Sequence, residues 1–142
     1  MSSAESHINE SVQYSRQALG RAETAVRCSP FSMPLFIAMR WQGVELSAIA
    51  EGNGTRNRYT RRIISELSAE QHLLWLIQVG VLRREVDGQG LTNSFRLTPL
   101  GRQLLELWQQ IGMIPAPTVG DHFYNSWNRY MRLPGWLQSS IQ

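Results

Sequence analysis

The residues of this sequence that are best suited to chemistry are its arginines. All fourteen basic residues are arginine, and none is lysine. Four of them fall in the run Thr55–Arg62, which has no acidic residue, whereas residues 1–29 balance three arginines against three glutamates. A guanidinium group binds phosphate oxygens and guanine edges with fixed geometry. Although a GC-rich genome would also favour arginine over lysine, the clustering indicates a partner that carries phosphate groups.

The sequence lacks the residue patterns of a catalytic or metal site. The histidines His7, His72 and His122 lie in separate segments, without a carboxylate partner at a useful spacing. Cys28 is the only cysteine, so it forms no disulfide within the chain. The segment Gly52–Gly54 is not followed by the lysine of a phosphate loop. We therefore expect no enzymatic activity, no metal and no cofactor, and we expect His72 to be an ordinary polar residue of a helix.

Hydrophobic spacing predicts the helices that precede the arginine run. Apolar side chains recur at helical intervals over residues 4–28, although the apolar stripe is thin. Pro34 suits the first turn of a second helix, which continues to Trp41. Residues 44–51 are predicted to form two further helical turns, and Gly52–Gly54 a tight turn after them.

The helix after this turn is the one that we expect to carry the arginines. Apolar residues keep helical spacing from Ile63 to Ile77, and Gly80 supplies a left-handed end. The spacing leaves the start of this helix open between Thr55 and Tyr59.

An alternative boundary places the turn near Leu67–Ser68. Glu70, Gln71 and His72 would then lead the helix. Toward a nucleic-acid partner, Gln71 would read a base and Arg61 would clamp the phosphate backbone. Glycines favour turns, so we expect the earlier turn and the earlier start of the helix.

A β-hairpin is predicted to follow. Val81–Val86 has β-compatible residues, Asp87–Gly90 is a glycine-rich turn, and Ser94–Leu97 is the returning strand. Thr98 is a good N-cap, and Pro99 occupies the favoured first position of a last helix.

Two stretches of the sequence resemble the winged-helix regulators of bacteria, which include the MarR, ArsR and PadR groups. Leu76–Arg84 is similar to the segment that leads into their wing, and Phe95–Arg102 is similar to the segment that follows it. The resemblance covers roughly half of the chain. It implies a mainly α fold with a small β-hairpin (α+β), that is, a winged helix-turn-helix with N- and C-terminal helical extensions. Small regulators of the cyanobacterial period-extender (Pex) type are similar in size and layout.

The resemblance implies a sequence-specific regulator of transcription that binds double-stranded DNA. The third helix would enter the major groove, and the wing would lie on the backbone or in the minor groove. Positions 58, 61, 62 and 65 would share one face of that helix. The residues expected to contact DNA are Arg56, Arg58, Arg61, Arg62, Ser65, Arg83, Arg84 and Arg96.

The segments flanking the predicted winged helix suggest how the chain assembles. We expect an N-terminal helix over residues 1–29, a DNA-binding domain over residues 30–112 and an aromatic extension over residues 113–142. The thin-striped helix and the aromatic tail both need apolar cover. We therefore expect a homodimer held by residues 4–28 and 120–137. Packing of the tail on the first helix is an equally simple way to cover it, and a pocket for a hydrophobic effector is less favoured.

The remaining expectations concern location and the competing function. The apolar stretches are much shorter than a bilayer span, and the first residues lack the features of a secretion signal. A cytoplasmic protein with no membrane partner is therefore expected, with Trp75 and Trp108 in its core. The alternative function is a winged-helix module that binds another protein and not DNA, and the arginine run speaks against it.

Overall fold

A computed structural model describes residues 14–131 of the chain. The predicted helical residues 4–13 and the tail residues 132–137 thus lie outside the described part. Seven helices are present within it: α1 Arg16–Arg27, α2 Met33–Trp41, α3 Leu46–Ile49, α4 Glu51–Arg56, α5 Glu66–Gln78, α6 Pro99–Ile111 and α7 Val119–Met131. None of these helices has the length and the apolar character that crossing a membrane requires.

A three-stranded antiparallel sheet completes the fold. Its strands are β1 (Val44–Glu45), β2 (Leu82–Asp87) and β3 (Gly90–Leu97), in the spatial order β1-β3-β2. The fold is therefore mainly α with a small sheet, as predicted, and β2 and β3 form the predicted hairpin. The strand β1 is a correction, because residues 44 and 45 were expected to be helical. Two residues are too few to produce a sequence period, and their partners lie some fifty positions further along the chain, at Phe95 and Ser94.

Local signals define the helix that follows the hairpin. The side chain of Thr98 accepts a hydrogen bond from the backbone N–H of Gly101 at 3.1 Å, and Pro99 occupies the first turn of α6. Both positions were predicted. Pro34 likewise lies in the first turn of α2, as expected.

One hydrophobic core joins the helices to the sheet. The two tryptophans expected there are buried, with Trp75 6% and Trp108 1% exposed. The largest fully buried side chains come from several elements, among them Phe31, Phe36, Met39, Leu73, Phe95 and Leu105. The first helix belongs to this core as well, because Ala22, Ala25 and Val26 of α1 are buried in it. The thin apolar stripe of α1 is therefore used within the chain.

The glycine-rich segment is helical, which corrects the predicted turn at Gly52–Gly54. These residues lie inside α4, and the chain changes direction just before them, where Ala50 is extended and Glu51 has a φ of 57°. Gly54 is buried, and a Cβ at this position would meet the carbonyl group of Ile49. This glycine is required for close packing and not for a turn.

The start of α5 corrects both predicted boundaries. The helix begins at Glu66, and Ser65 caps it by accepting a hydrogen bond from the backbone N–H of Ser68 at 3.1 Å. Residues 57–65 form a loop, which is held to the segment before α2. The N–H of Ser32 donates to the Tyr59 carbonyl at 2.9 Å, and that of Arg61 donates to the Pro30 carbonyl at 3.2 Å.

Candidate nucleic-acid interface

The outer face of α5 is open to solvent. Leu67, Gln71, Leu74 and Gln78 recur at intervals of three or four residues and are exposed, whereas the opposite side of the helix is buried. Leu67 is 66% and Leu74 is 39% exposed. A helix of this size fits the major groove, where glutamine pairs with adenine and an apolar side chain contacts the thymine methyl group.

No basic residue lies on α5, and its N-terminal end is acidic. Glu66 is the first residue of the helix, and the Glu51 carboxylate accepts a hydrogen bond from the N–H of Glu66 at 3.3 Å. Glu45 and Glu66 also line a cleft of about 300 Å³ beside β3. A helix N-terminus ordinarily attracts phosphate. At this end the carboxylates oppose such a contact, so phosphate contacts require the arginines outside the helix.

The basic loop, defined as residues 56–62, comprises the last residue of α4 and the loop residues that follow it, and it precedes α5. Arg56, Arg58 and Arg62 are exposed. Arg56 donates to the Asn53 side chain at 3.0 Å. The guanidinium group of neither Arg58 nor Arg62 has a hydrogen-bond or ion-pair partner among residues 14–131. These two side chains are therefore free to meet an anion.

Arg61 has a structural contact in the same loop. Its guanidinium group donates to the backbone carbonyl of Ser29, and its own N–H donates to the Pro30 carbonyl. The prediction that positions 58, 61, 62 and 65 share a helix face is wrong, because the first three lie in a loop and Ser65 is the cap of α5. The loop is extended because the segment before α2 pairs with it at Phe31 and Thr60.

The three arginines of the β2–β3 hairpin, Arg83, Arg84 and Arg96, also differ from one another. Arg83 is exposed, and its guanidinium group has no partner in the described part of the chain. The Arg84 guanidinium lies over the Phe95 ring, 5.2 Å from its centroid. Arg96 forms an ion pair with Glu85 at 3.7 Å and donates to the Trp41 carbonyl at 3.2 Å. Only Arg83 is available for a phosphate contact without breaking an existing interaction.

His72 lies on the inner part of α5. Burial lowers the pKa of its imidazole, and the charges of Arg129 and Arg62 lower this pKa further. Its ring packs edge-on against Phe31, with 6.2 Å between the ring centroids. The neutral form is therefore favoured, which agrees with an ordinary packed residue.

Sequence reasoning missed the polar contacts that hold α7. The Trp75 indole N–H donates to the Asn125 side chain at 2.9 Å, and Asp121 pairs with Arg27 at 2.7 Å. The Arg129 guanidinium lies over the Trp75 ring, 5.5 Å from its centroid. The four-residue spacing of positions 121, 125 and 129 is the signal that would have revealed this polar helix face.

These elements define an α+β fold. A helix, a short strand, a pair of short helices, a further helix and a hairpin follow one another, and a basic loop precedes α5. The chain belongs to the Npun_F0494-like family, whose sequence model matches residues 12–129. Comparison with curated proteins and with solved structures gave no match.

Proposed function

We propose that this protein binds double-stranded DNA and regulates transcription in the cytoplasm, with α5 in the major groove and the wing on the sugar-phosphate backbone. One observation carries the proposal. Three arginines are exposed, Arg58 and Arg62 before α5 and Arg83 after it, and their guanidinium groups have no hydrogen-bond or ion-pair partner within residues 14–131. A free guanidinium group gives up no internal contact when it binds a phosphate.

The contacts divide between the helix and its surroundings. Gln71 on the open face of α5 is placed to read a base, and adenine is its preferred partner. Leu67 and Leu74 offer apolar contacts to thymine methyl groups. Arg58 and Arg62 supply contacts to phosphates, which fix the orientation of the helix but carry no sequence information.

The arginines already engaged inside the chain have a different role. Arg61 holds the loop in place by its hydrogen bond to the Ser29 carbonyl. Arg84 and Arg96 hold the wing in place, Arg84 by packing on the Phe95 ring and Arg96 by its ion pair with Glu85. Replacing them would alter DNA binding through the shape of the surface.

A second candidate function is supported by the composition of α5 itself. The helix has two acidic residues and no basic one, and Ile63 and Leu67 beside its start are 65% and 66% exposed. An apolar, weakly acidic face is suited to a partner protein that offers an apolar groove with a basic rim. In this interpretation the winged helix is an interaction module.

Selection of bound sequences from random duplex DNA, followed by titration of the selected duplex at two salt concentrations, tests the proposal. We expect enrichment of a defined sequence. Arg58→Ala, Arg62→Ala and Arg83→Ala should each lower the magnitude of the salt slope by about one. Arg102→Ala is the matched control, because Arg102 is also exposed but lies on α6.

The interaction module becomes the leading interpretation if the folded full-length chain binds no duplex at low salt. The same conclusion follows if the Arg102 control weakens binding as much as the three other variants do, because the attraction would then be a general effect of charge.

A further inference from the structure

Helix α7 turns its polar side toward the body of the protein. The carboxylate of Asp121 pairs with Arg27 at 2.7 Å, Asn125 accepts the indole N–H of Trp75 at 2.9 Å, and Arg129 lies over the same indole ring. Asn125 is the buried residue of this helix. These three contacts fix the rotation of α7 about its own axis.

The opposite side of α7 is an apolar stripe that faces solvent. The α7 stripe consists of Val119, Phe123, Trp127 and Met131, which follow one another at four-residue intervals and are 88%, 75%, 55% and 55% exposed. Turning this stripe onto the chain's own core would break the contacts of Asp121, Asn125 and Arg129. A surface helix normally presents the reverse arrangement, with its apolar side inward.

We propose that the α7 stripe binds the α7 stripe of a second copy of this chain and so forms a two-fold symmetric homodimer. Charge is the first reason. The only acidic residue and the only arginine of α7 are Asp121 and Arg129, and both are turned inward by their contacts. A symmetric interface brings like residues of the two copies together, so a face without charges meets its own copy without repulsion.

Area is the second reason. With about 150–250 Å² for a fully buried aromatic side chain, the exposed parts of the α7 stripe and of the adjoining Tyr124 come to something on the order of 500 Å² per copy. A standard interface buries about 800 Å² per partner. The stripe therefore supplies the apolar centre of such an interface, and its polar margins supply the remainder.

The proposal narrows the dimer expected from the sequence. Residues 4–28 were expected to share the interface, but Ala22, Ala25 and Val26 of α1 are already buried within the chain. The α7 stripe alone remains open in the described part of the two expected segments. The proposal is also independent of DNA binding, and its test contains no DNA.

Sedimentation velocity of the full-length chain over a range of concentrations tests the proposal. We expect a dimer for the unchanged protein. Phe123→Glu should raise the dissociation constant of the dimer at least tenfold, since it places two like charges at the centre of the interface. Leu91→Glu is the matched control, because Leu91 of the wing is 72% exposed, close to the 75% of Phe123, and should leave the dimer unchanged.

Circular dichroism of both variants serves to check that the fold is retained. A full-length chain that remains monomeric at every concentration overturns the proposal, and so does an equal effect of the two variants. The proposal is also overturned if a dimer forms only after residues 132–142 have been removed. In that case residues 132–142 would be the segment that covers the α7 stripe.

Discussion

Arg58, Arg61 and Arg62 are the same amino acid within five positions of one loop, yet their contacts give them different tasks. The guanidinium group of Arg61 is bonded to the carbonyl of Ser29, whereas the other two have no partner within residues 14–131. The predicted helix face assigned all three to DNA. Which arginine is free depends on a backbone carbonyl about thirty positions away, and no local pattern in the sequence reports this.

This difference predicts that two alanine substitutions lower the stability of the protein by different amounts. Arg61→Ala should lower the free energy of unfolding by about 1 kcal/mol, because it removes a charge-assisted hydrogen bond that holds the loop. Arg62→Ala should change that free energy by less than about 0.5 kcal/mol, as for other exposed positions. Urea unfolding followed by circular dichroism measures both. Equal values for the two variants would contradict the anchoring role of Arg61.

Gln71 is the residue that we expect to specify sequence. Gln71→Ala should cost about 1–3 kcal/mol of binding to the selected duplex and should relax the preference at one base pair. Arg62→Ala should instead weaken binding to all duplexes to a similar extent. Binding curves for the selected duplex and for its single-base variants separate the two effects. A changed base preference in Arg62→Ala, with none in Gln71→Ala, would reverse the assignment.

His72 predicts how stability depends on pH. Burial lowers the pKa of this imidazole below its ordinary value of 6.5 in the folded protein, so the unfolded chain binds more protons than the folded one between the two pKa values. The contribution of His72 to stability is therefore complete above pH 6.5 and is lost as the pH falls from there toward the lowered pKa.

The free energy of unfolding, measured well above and well below this range for the unchanged protein and for His72→Asn, tests the prediction. The unchanged protein should lose more stability than the variant as the pH falls, since only its imidazole becomes protonated on unfolding. The same loss in both proteins would attribute the pH dependence to other groups.

Among the helices and strands, the sequence predicted the ones whose turn and capping residues lie next to them in the chain. The hairpin and α6 were predicted from Asp87–Gly90 and from the pair Thr98–Pro99, which act on their own backbone. The predictions for residues 44–45 and for residues 52–65 were wrong because their determinants are distant in the sequence, whereas residues 46–49 are helical as predicted. β1 exists through pairing with Phe95, and the loop of residues 57–65 exists through bonds to the segment before α2.

The two glycines of α4 provide a matched test of this conclusion. Gly54→Ala should lower the free energy of unfolding by about 1–3 kcal/mol, because its Cβ would overlap the Ile49 carbonyl, which cannot move aside. Gly52→Ala should raise it by up to about 1 kcal/mol, because no atom lies within 4 Å of that Cβ and alanine favours the helix. Destabilisation of similar size at both positions would instead support the turn first predicted here.

For the whole molecule, the proposed dimer through α7 and the proposed DNA binding together predict how the salt dependence of binding changes with assembly. On the proposed DNA-binding surface each copy offers three free arginine side chains, Arg58, Arg62 and Arg83, and each neutralised phosphate contributes about 0.9 to the slope of log affinity against log salt. A single chain should therefore give a slope of magnitude near 3, and a dimer on two half-sites should give about twice that value.

Phe123→Glu should reduce the slope to the value of one chain, because it separates the copies without touching the arginines. The substitution also adds a negative charge, so Gln103→Glu on α6, another exposed position, serves as the control for charge alone. Titration of a palindromic duplex at several salt concentrations measures the slope for each protein. We expect the control to keep nearly the full slope. An unchanged slope in Phe123→Glu, together with sedimentation as a monomer, would mean that each chain binds DNA alone and that the dimer has no part in recognition.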